Sequence, residues 1–260
     1  MIYILTNTKS IFLDLSNEVE IVESISLING EGNIVITANY TNIIPNEYLK
    51  KNTYLNIHNS LLPKYRGLHA FAWAIINNEK QVGYTLHVIN KDIDAGPILS
   101  QITIDVNFQE DINQLLDKST FIMIEWLKRL IPKINIDFIS KAEEQDESKA
   151  TYVCRRGYKD GLIDWNQSSL RIYNLIRAIS PPYTKGAYTF WCGSELTIIS
   201  AELFNLPDYI GINGQIVARL KGRGVLVKCE IGILLVKEIE HNNCISNGYD
   251  FFKTVGARLG

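Results

Sequence analysis

Closely spaced cysteines are absent from this sequence. Its four cysteines lie far apart and form no C-x-x-C pair: Cys154, Cys192, Cys229 and Cys244. This spacing argues against a zinc ribbon or a disulfide framework and favours reduced, mostly buried thiols. We therefore expect a cytoplasmic protein that needs no metal.

Long apolar runs are also absent. No stretch of about 18 apolar residues occurs, so no membrane span is predicted. The stretch "MIYILTNTKS" has no basic region followed by a long apolar segment, so it is predicted to be a first strand rather than a signal peptide. No G-x-G-x-x-G follows that strand, and the P-loop, H-E-x-x-H and G-x-S-x-G motifs are missing.

The chain carries little excess charge, with a net charge of −2 at pH 7. Residues 1–150 contain 13 Lys and Arg against 19 Asp and Glu, whereas residues 151–260 contain 13 against 9. A protein that holds a long nucleic acid by its phosphates usually has a more basic surface. We therefore expect no nucleic-acid partner, and a small ligand with a diphosphate is compatible with the mild basic excess of the second half.

The two halves of the chain have different patterns. Short apolar runs at 2–6, 33–40, 53–58 and 82–89 alternate with helical segments, which predicts a largely parallel α/β sheet. Residues 109–131 predict a long amphipathic helix, and its apolar side is Ile112, Leu115, Leu116, Phe121, Met123, Leu127 and Leu130. After about residue 155, a helix capped by Ser168 precedes short strands punctuated by glycine, which indicates a small sheet or barrel.

Two separated blocks carry a family resemblance. "NIHNSLLPKYRG" at 56–67 has N-x-H, S-L-L-P and Y-R-G, and "VGYTLHVINKDIDAGPIL" at 82–99 has G-x-T-x-H and D-x-G. Together they resemble the 10-formyltetrahydrofolate-dependent formyltransferases, and the segments 158–188 and 213–239 resemble the family's linking region and terminal β domain. One departure is the short connection between the first strand and Asn33.

The resemblance implies an architecture. We expect an α/β protein with a Rossmann-like catalytic domain at 1–155, and a linker helix with a smaller OB-like β domain at 156–260. The resemblance also implies a homodimer, and N10-formyltetrahydrofolate as co-substrate.

The chemistry explains the N-x-H spacing. In formyl transfer an amine attacks a formyl carbon, so the site needs a donor to the developing oxyanion and a group that moves the amine's proton. Asn56 and His58 are two residues apart, so on a strand both side chains point to one face. An asparagine amide is a neutral donor, and a histidine with an ordinary pKa of about 6.5 moves protons near neutral pH. The family pattern adds Asp94, which could orient His58 or hold a water molecule.

Each of these residues has a simpler explanation when taken alone. A lone histidine is most often a hydrogen-bonded core residue, Asn56 could cap a strand, and Asp94 could be a turn residue. The second block favours the catalytic roles. His87 and Thr85 are predicted to support the site from behind.

The resemblance also assigns binding residues. Folate contacts are predicted at Asn42, Ile43, Ile44, Asn90, Lys91, Asp92 and Ile93, although ordinary core packing is equally compatible with Ile43 and Ile44. Substrate contacts are predicted at Lys64, Tyr65 and Arg66, although exposed basic residues need no such role.

Three functions compete on this pattern. The first is an N-formyltransferase for a nucleotide-linked amino sugar, with a dTDP or UDP carrier, serving lipopolysaccharide or O-antigen synthesis. The second is a methionyl-tRNA formyltransferase, and the third is a non-catalytic binding relative. We favour the first, because the chain's charge is low for a tRNA ligand and all three catalytic positions are filled.

Overall fold

The apolar runs of the first half form the strands of a mixed sheet in the computed structural model, which describes residues 1–260. The strands in this half are β1 (Ile2–Leu5), β2 (Glu20–Val22), β3 (Ile34–Ala38), β4 (Thr53–His58), β5 (Arg66–Gly67), β6 (Gln81–Val88), β7 (Ile98–Asp105) and β8 (Tyr152–Val153). The helices are α1 (Asn46–Leu49), α2 (Ala70–Ile76), α3 (Ile112–Leu130) and α4 (Ile136–Ile139), with short 3₁₀ turns at Lys9–Leu15, Ile25–Leu27, Ile131–Lys133 and Glu147–Lys149.

The sheet is less parallel than the sequence predicts. Its order is β2-β1-β3-β4-β6-β7, and β5 pairs separately with β8. The first four strands are mutually parallel, but β6 is antiparallel to both β4 and β7. For β6 and β7 the reason is the short connection, because parallel strands need a crossover of a dozen or more residues.

The short connection between β1 and β3 holds an extra strand. The 3₁₀ turn Lys9–Leu15 buries Phe12 and Leu15 completely, and β2 then pairs in parallel with β1. Strand β2 is not predicted by the sequence pattern, because three residues are too few to show the period of a strand. The connection therefore extends the sheet at its edge.

Helix α3 confirms the predicted amphipathic helix with one error. Ile112, Leu115 and Leu127 are fully buried, but Phe121 is 70% exposed. Phe121 follows Ile112 by nine residues, which at 3.6 residues per turn places it on the opposite side of the helix. Trp126, which the prediction omitted, is buried instead.

The second half confirms the predicted β architecture. A 3₁₀ turn at Tyr158–Gly161 leads to α5 (Ser169–Ala178), and the Ser168 side chain accepts a hydrogen bond from the Arg171 N–H as an N-cap. The remaining elements are β9 (Ala187–Trp191), β10 (Ser194–Phe204), β11 (Ile216–Leu220), β12 (Gly224–Lys228), β13 (Ile233–His241), β14 (Cys244–Asn247) and α6 (Gly248–Phe251). The antiparallel sheet has the order β11-β12-β13-β10-β9, and β14 pairs with β13.

The chain folds into two compact units. The N-terminal unit is Met1–Ala70, Lys80–Val106 and Leu116–Arg155. The C-terminal unit is Phe71–Glu79, Asn107–Leu115 and Arg156–Gly260. These units are not divided by one point in the sequence. The predicted domain boundary between residues 155 and 156 stays a prediction.

The prediction of mostly buried thiols is wrong. Only Cys229 is buried, and burial raises the pKa of its thiol to about 12. Cys192 and Cys244 are exposed because they lie in or beside the turns that join antiparallel strands, and Cys154 is exposed next to β8. None of the helices combines the length and apolar character that a membrane crossing requires.

A buried hydrogen bond in the C-terminal unit gives a stability prediction. The Trp165 indole N–H donates to the Thr189 hydroxyl at 3.0 Å, and Thr189 is fully buried on β9. Thr189→Val keeps the shape but leaves the indole N–H without this acceptor, so we expect a loss of about 1–3 kcal/mol in the free energy of unfolding. Urea denaturation measures the loss, and Thr189→Ser, which keeps the oxygen, should lose less; equal losses would contradict the role of the hydrogen bond.

Candidate active site

The site lies where β4 and β6 pair. Asn56 is directly opposite His87, and His58 is opposite Thr85. His58, His87 and Thr85 are all buried. The turn between β6 and β7 then brings Asp94 to Asn56, His58 and His87, so the structure joins the three predicted catalytic residues in one cluster.

The Asn56 amide has a fixed orientation. Its Oδ1 accepts a hydrogen bond from the Thr37 hydroxyl at 2.8 Å, and its Nδ2 lies 3.1 Å from His87 Nε2 and 3.4 Å from Asp94 Oδ1. Rotating the amide by half a turn would place its oxygen against the Asp94 carboxylate. The N–H groups of Asn56 therefore face His87 and Asp94, and the second contact is longer than an ordinary hydrogen bond.

His87 holds Asn56 through one nitrogen. Its Nδ1 lies 3.0 Å from the carbonyl oxygen of Val88, which can only accept, so Nδ1 carries a proton. Nε2 lies 3.1 Å from Asn56 Nδ2 and 3.6 Å from Asp94 Oδ1, so the same nitrogen can accept from Asn56 when it carries no proton and donate toward Asp94 when it carries one. His87 thus supports the site from behind.

His58 is held at both ring nitrogens. Its Nε2 lies 2.8 Å from the carbonyl oxygen of Tyr65, which assigns a proton to Nε2, and its Nδ1 lies 3.4 Å from Asp94 Oδ2. Burial lowers the pKa of His58 below its ordinary value, whereas Asp94 and the Tyr65 carbonyl oppose that shift and His87 adds to it. Burial therefore favours the neutral form of His58, and Asp94 favours its charged form.

Asp94 stays ionised despite its burial. Its side chain is 14% exposed, and burial alone would raise its pKa, but His87, His58 and the Gly67 N–H, which donates to Oδ2 at 2.9 Å, bring the pKa below the ordinary range. The residue has a φ of 52°, a left-handed conformation that aspartate tolerates better than most residues.

Thr85 fastens the loop that follows β4. Its hydroxyl donates to the Ser60 carbonyl oxygen at 2.6 Å and accepts from the Leu62 N–H at 3.1 Å. The loop then delivers the Tyr65 carbonyl to His58. Lys64 is exposed, and its predicted contact with substrate, like that of Tyr65, stays a prediction.

The structure gives Arg66 a role other than the predicted one. Its side chain is 1% exposed, and the guanidinium bonds to the side chains of Gln145, Glu147 and Tyr152. A basic residue between Tyr65 and Gly67 looks available for a phosphate in sequence, but here its charge is neutralised inside the unit.

The predicted folate residues lie in two exposed loops. Asn42 and Ile43 follow β3, and Ile43 is 93% exposed, whereas Ile44 packs partly buried against the core. Asn90, Lys91, Asp92 and Ile93 follow β6 and are exposed, and the Asn90 side chain accepts from the Asp92 N–H. Their contacts with folate stay predictions.

Sequence reasoning missed three contributors to the site. Thr37 orients Asn56 from β3, the Gly67 N–H binds Asp94, and Gln145 donates to the backbone of the Asp94 turn. Only the strand register reveals Thr37, and Gln145 lies in a polar run that resembles a solvated loop. The glycine of Y-R-G was the one visible signal.

Two family descriptions match the chain. "Formyl transferase" matches residues 15–131, and "Formyl transferase, C-terminal domain" matches residues 157–256. These matches confirm the resemblance that residues 56–67 and 82–99 carry, and the predicted α/β-plus-β fold.

Individual relatives differ in how much of them the chain covers. The methionyl-tRNA formyltransferase of Caldanaerobacter subterraneus subsp. tengcongensis is 34% identical over 229 residues, which is 87% of this chain and 71% of that protein. The bifunctional polymyxin resistance protein ArnA of Wigglesworthia glossinidia brevipalpis is 34% identical over 217 residues, 81% of this chain, and this chain spans 32% of its length. The crystal structure of WlaRD, a sugar 3N-formyl transferase in the presence of dTDP and 5-N-formyl-THF, is 26% identical with a TM-score of 0.64, covering 88% of this chain and 80% of that one.

The contact between Asp94 and His58 gives a pH prediction. The Asp94 charge raises the pKa of His58, so Asp94→Asn should move the titration of His58 to lower pH. NMR of the histidine ring protons across a pH series measures this, and only four histidines need assignment. Asp92→Asn in the same turn is the matched control and should leave the titration in place; a shift to higher pH in Asp94→Asn would refute the coupling.

Proposed function

Because the chain belongs to the formyl transferase family, we propose that it transfers a formyl group from N10-formyltetrahydrofolate to the amino group of a nucleotide-linked amino sugar. The observation that supports this reaction is the convergence of Asn56 and His58 on Asp94. Asn56 Nδ2 lies 3.4 Å from one carboxylate oxygen of Asp94, and His58 Nδ1 lies 3.4 Å from the other. This cluster combines a neutral donor with a base and its counter-charge. The non-catalytic alternative is disfavoured, because a binding module needs no such combination.

Asn56 is the proposed donor to the carbonyl oxygen of the formyl group. When bound, the folate supplies an electrophilic formyl carbon on a nitrogen leaving group. Thr37 and His87 fix the Asn56 amide, so its second N–H, whose contact with Asp94 is a long 3.4 Å, has a set direction in which an incoming oxygen could accept it. A fixed donor aimed at a developing negative charge is the usual form of such stabilisation.

His58 and Asp94 are the proposed route for the amine's proton. Nε2 of His58 already carries a proton for the Tyr65 carbonyl, so Nδ1 is the acceptor, and Asp94 Oδ2 stabilises the imidazolium that results. The lowered pKa keeps His58 uncharged and ready to accept at neutral pH. The proton can then return to the leaving nitrogen.

The folate is proposed to lie against the loops that follow β3 and β6. These loops expose the apolar side chains Ile43 and Ile93 next to polar groups such as Asn90, a composition that suits an aromatic ring system with polar edges. No part of the donor set calls for a metal. Dimer formation and a place in lipopolysaccharide or O-antigen synthesis stay predictions that rest on the resemblance.

Charge supports an amino-sugar nucleotide as the acceptor. Residues 151–260 have 13 basic residues, and at least six contact groups of the C-terminal unit: Arg156, Arg177, Arg219, Arg223, Lys228 and Lys237. Seven other basic residues remain in this half, against nine acidic ones, a balance that suits one diphosphate better than an acceptor stem. The sugar formyl transferase WlaRD, whose structure was determined with dTDP, has the same fold over 88% of this chain.

Methionyl-tRNA is the second candidate acceptor. The observation in its favour is the 34% identity to a methionyl-tRNA formyltransferase over 87% of this chain. The catalytic cluster serves either amine equally, so only the acceptor assay separates them.

Loss of His58 tests the reaction. His58→Ala should lower kcat by about 10²–10⁴-fold, the usual effect of losing acid–base assistance, with little change in the melting temperature. His241→Ala, in the C-terminal unit, is the matched histidine control and should keep most of its activity. A folded His58→Ala variant with near-normal turnover would refute the proposed role.

A competition assay tests the acceptor. The protein receives 10-formyltetrahydrofolate with either charged initiator tRNA or a panel of dTDP- and UDP-linked amino sugars, at two salt concentrations. We expect one formyl group to be added to a sugar nucleotide with a shallow salt dependence, since few phosphates are held. Efficient formylation of the tRNA, falling steeply with salt, and no turnover of any sugar would favour the second candidate instead.

A further inference from the structure

One buried glutamine outside the catalytic cluster touches the turn that carries Asp94. Gln145 is 9% exposed, and we infer that it is a positioning residue that sets the place of Asp94 relative to His58. The inference rests on the proposed function, because it assigns Gln145 to the formyl-transfer site.

Both ends of the Gln145 amide are fully used. Its Nε2 donates to the carbonyl oxygens of Asp94 at 2.8 Å and Gly96 at 2.7 Å, and its Oε1 accepts from Arg66 Nε at 3.1 Å and from a terminal nitrogen at 2.8 Å. A guanidinium only donates and carbonyl oxygens only accept, so the amide has one possible orientation. The two carbonyls on either side of Ala95 are thereby fixed to a single group.

Arg66 anchors this amide from the other side. The guanidinium also bonds to Glu147, at 2.9 and 2.6 Å, and to the Tyr152 hydroxyl at 2.9 Å. The segment before Gln145 is itself tied to the start of β7, where Ile98 and Glu143 exchange backbone hydrogen bonds of 2.7 and 2.8 Å. Gln145 is therefore held on a rigid support rather than on a free loop.

The turn needs such a support. Asp94 is in a left-handed conformation, and a Cβ atom on Gly96 would lie 1.8 Å from the Val88 carbonyl oxygen, so the backbone already approaches β6 closely. A non-glycine residue at positive φ is a costly conformation that persists only when its surroundings impose it. The Gln145 hydrogen bonds to the Asp94 and Gly96 carbonyl oxygens hold the turn in this conformation. They thereby fix the 3.4 Å contact between Asp94 and His58.

The informative variant is Gln145→Met, which removes both donors without adding charge. If Asp94 moves away from His58, the titration of His58 shifts to lower pH, because Asp94 raises the pKa of His58, while His87 and the Tyr65 carbonyl, the other groups that face the ring, stay in place. We also expect kcat to fall by about 10–100-fold with an unchanged KM for the amine, the effect of misplacing a catalytic group. The NMR titration needs no acceptor, so it decides the inference even if neither acceptor class is turned over.

Two further variants separate positioning from stability. Gln145→Glu keeps an acceptor for Arg66 but loses both donors, so its kcat should fall as in Gln145→Met. Gln114→Met, at an exposed glutamine whose amide accepts from the Asp111 N–H, is the matched control and should leave both readouts unchanged. A folded Gln145→Met variant with the wild-type His58 titration, or a Gln145→Glu variant with wild-type kcat, overturns the inference. Failure of both position-145 variants to fold would assign Gln145 to stability alone and overturn it as well.

Discussion

A nearly buried carboxylate is the constraint on which the N-terminal unit depends. Asp94 is charged, it is 14% exposed, and it can remain so only while donors surround it. The register of β4 and β6 supplies Asn56 and His87, and the loop after β4 returns to supply the Gly67 N–H. The same contacts that make the charge tolerable also define the chemistry, because an amide and an imidazole that face a carboxylate are a donor and a base.

Two glycines of the motifs follow from this constraint. Gly67 has a φ of 106°, and a Cβ atom there would lie 2.1 Å from the Val153 carbonyl oxygen, so only glycine lets β5 approach β8 and aim its N–H at Asp94. Gly96 allows the equivalent close approach of the turn to Val88. The glycines of Y-R-G and D-x-G are therefore needed where the backbone itself holds the carboxylate.

Local patterns in the sequence predicted part of this arrangement and long-range contacts decided the rest. The spacing of Asn56 and His58, the Ser168 cap and the strand runs depend on nearby residues, and the structure places each as expected. Arg66 was misjudged because its partners, Gln145 and Glu147, lie about 80 residues further along the chain. Strand β2 was missed because three residues carry no periodicity. A residue's burial depends on what folds onto it, and the pattern around it does not contain that information.

The reaction is easier to infer than the acceptor, because the two inferences depend on different features. The reaction is inferred from a cluster of side chains in the N-terminal unit, and the acceptor is inferred from the charges of the C-terminal unit. The proposed transfer uses Asn56, His58 and Asp94, which all lie in the N-terminal unit, and none of these side chains would distinguish what carries the amine. In the proposed function, the choice of acceptor depends on how many cations are available to meet phosphates. Lys228 is directed into the C-terminal unit, where its ammonium lies beside backbone carbonyls, and Lys237 and Arg223 share Glu202. A long polyanion needs many phosphate contacts whereas a diphosphate needs few, so cations engaged in this way are the physical basis on which we propose a nucleotide sugar.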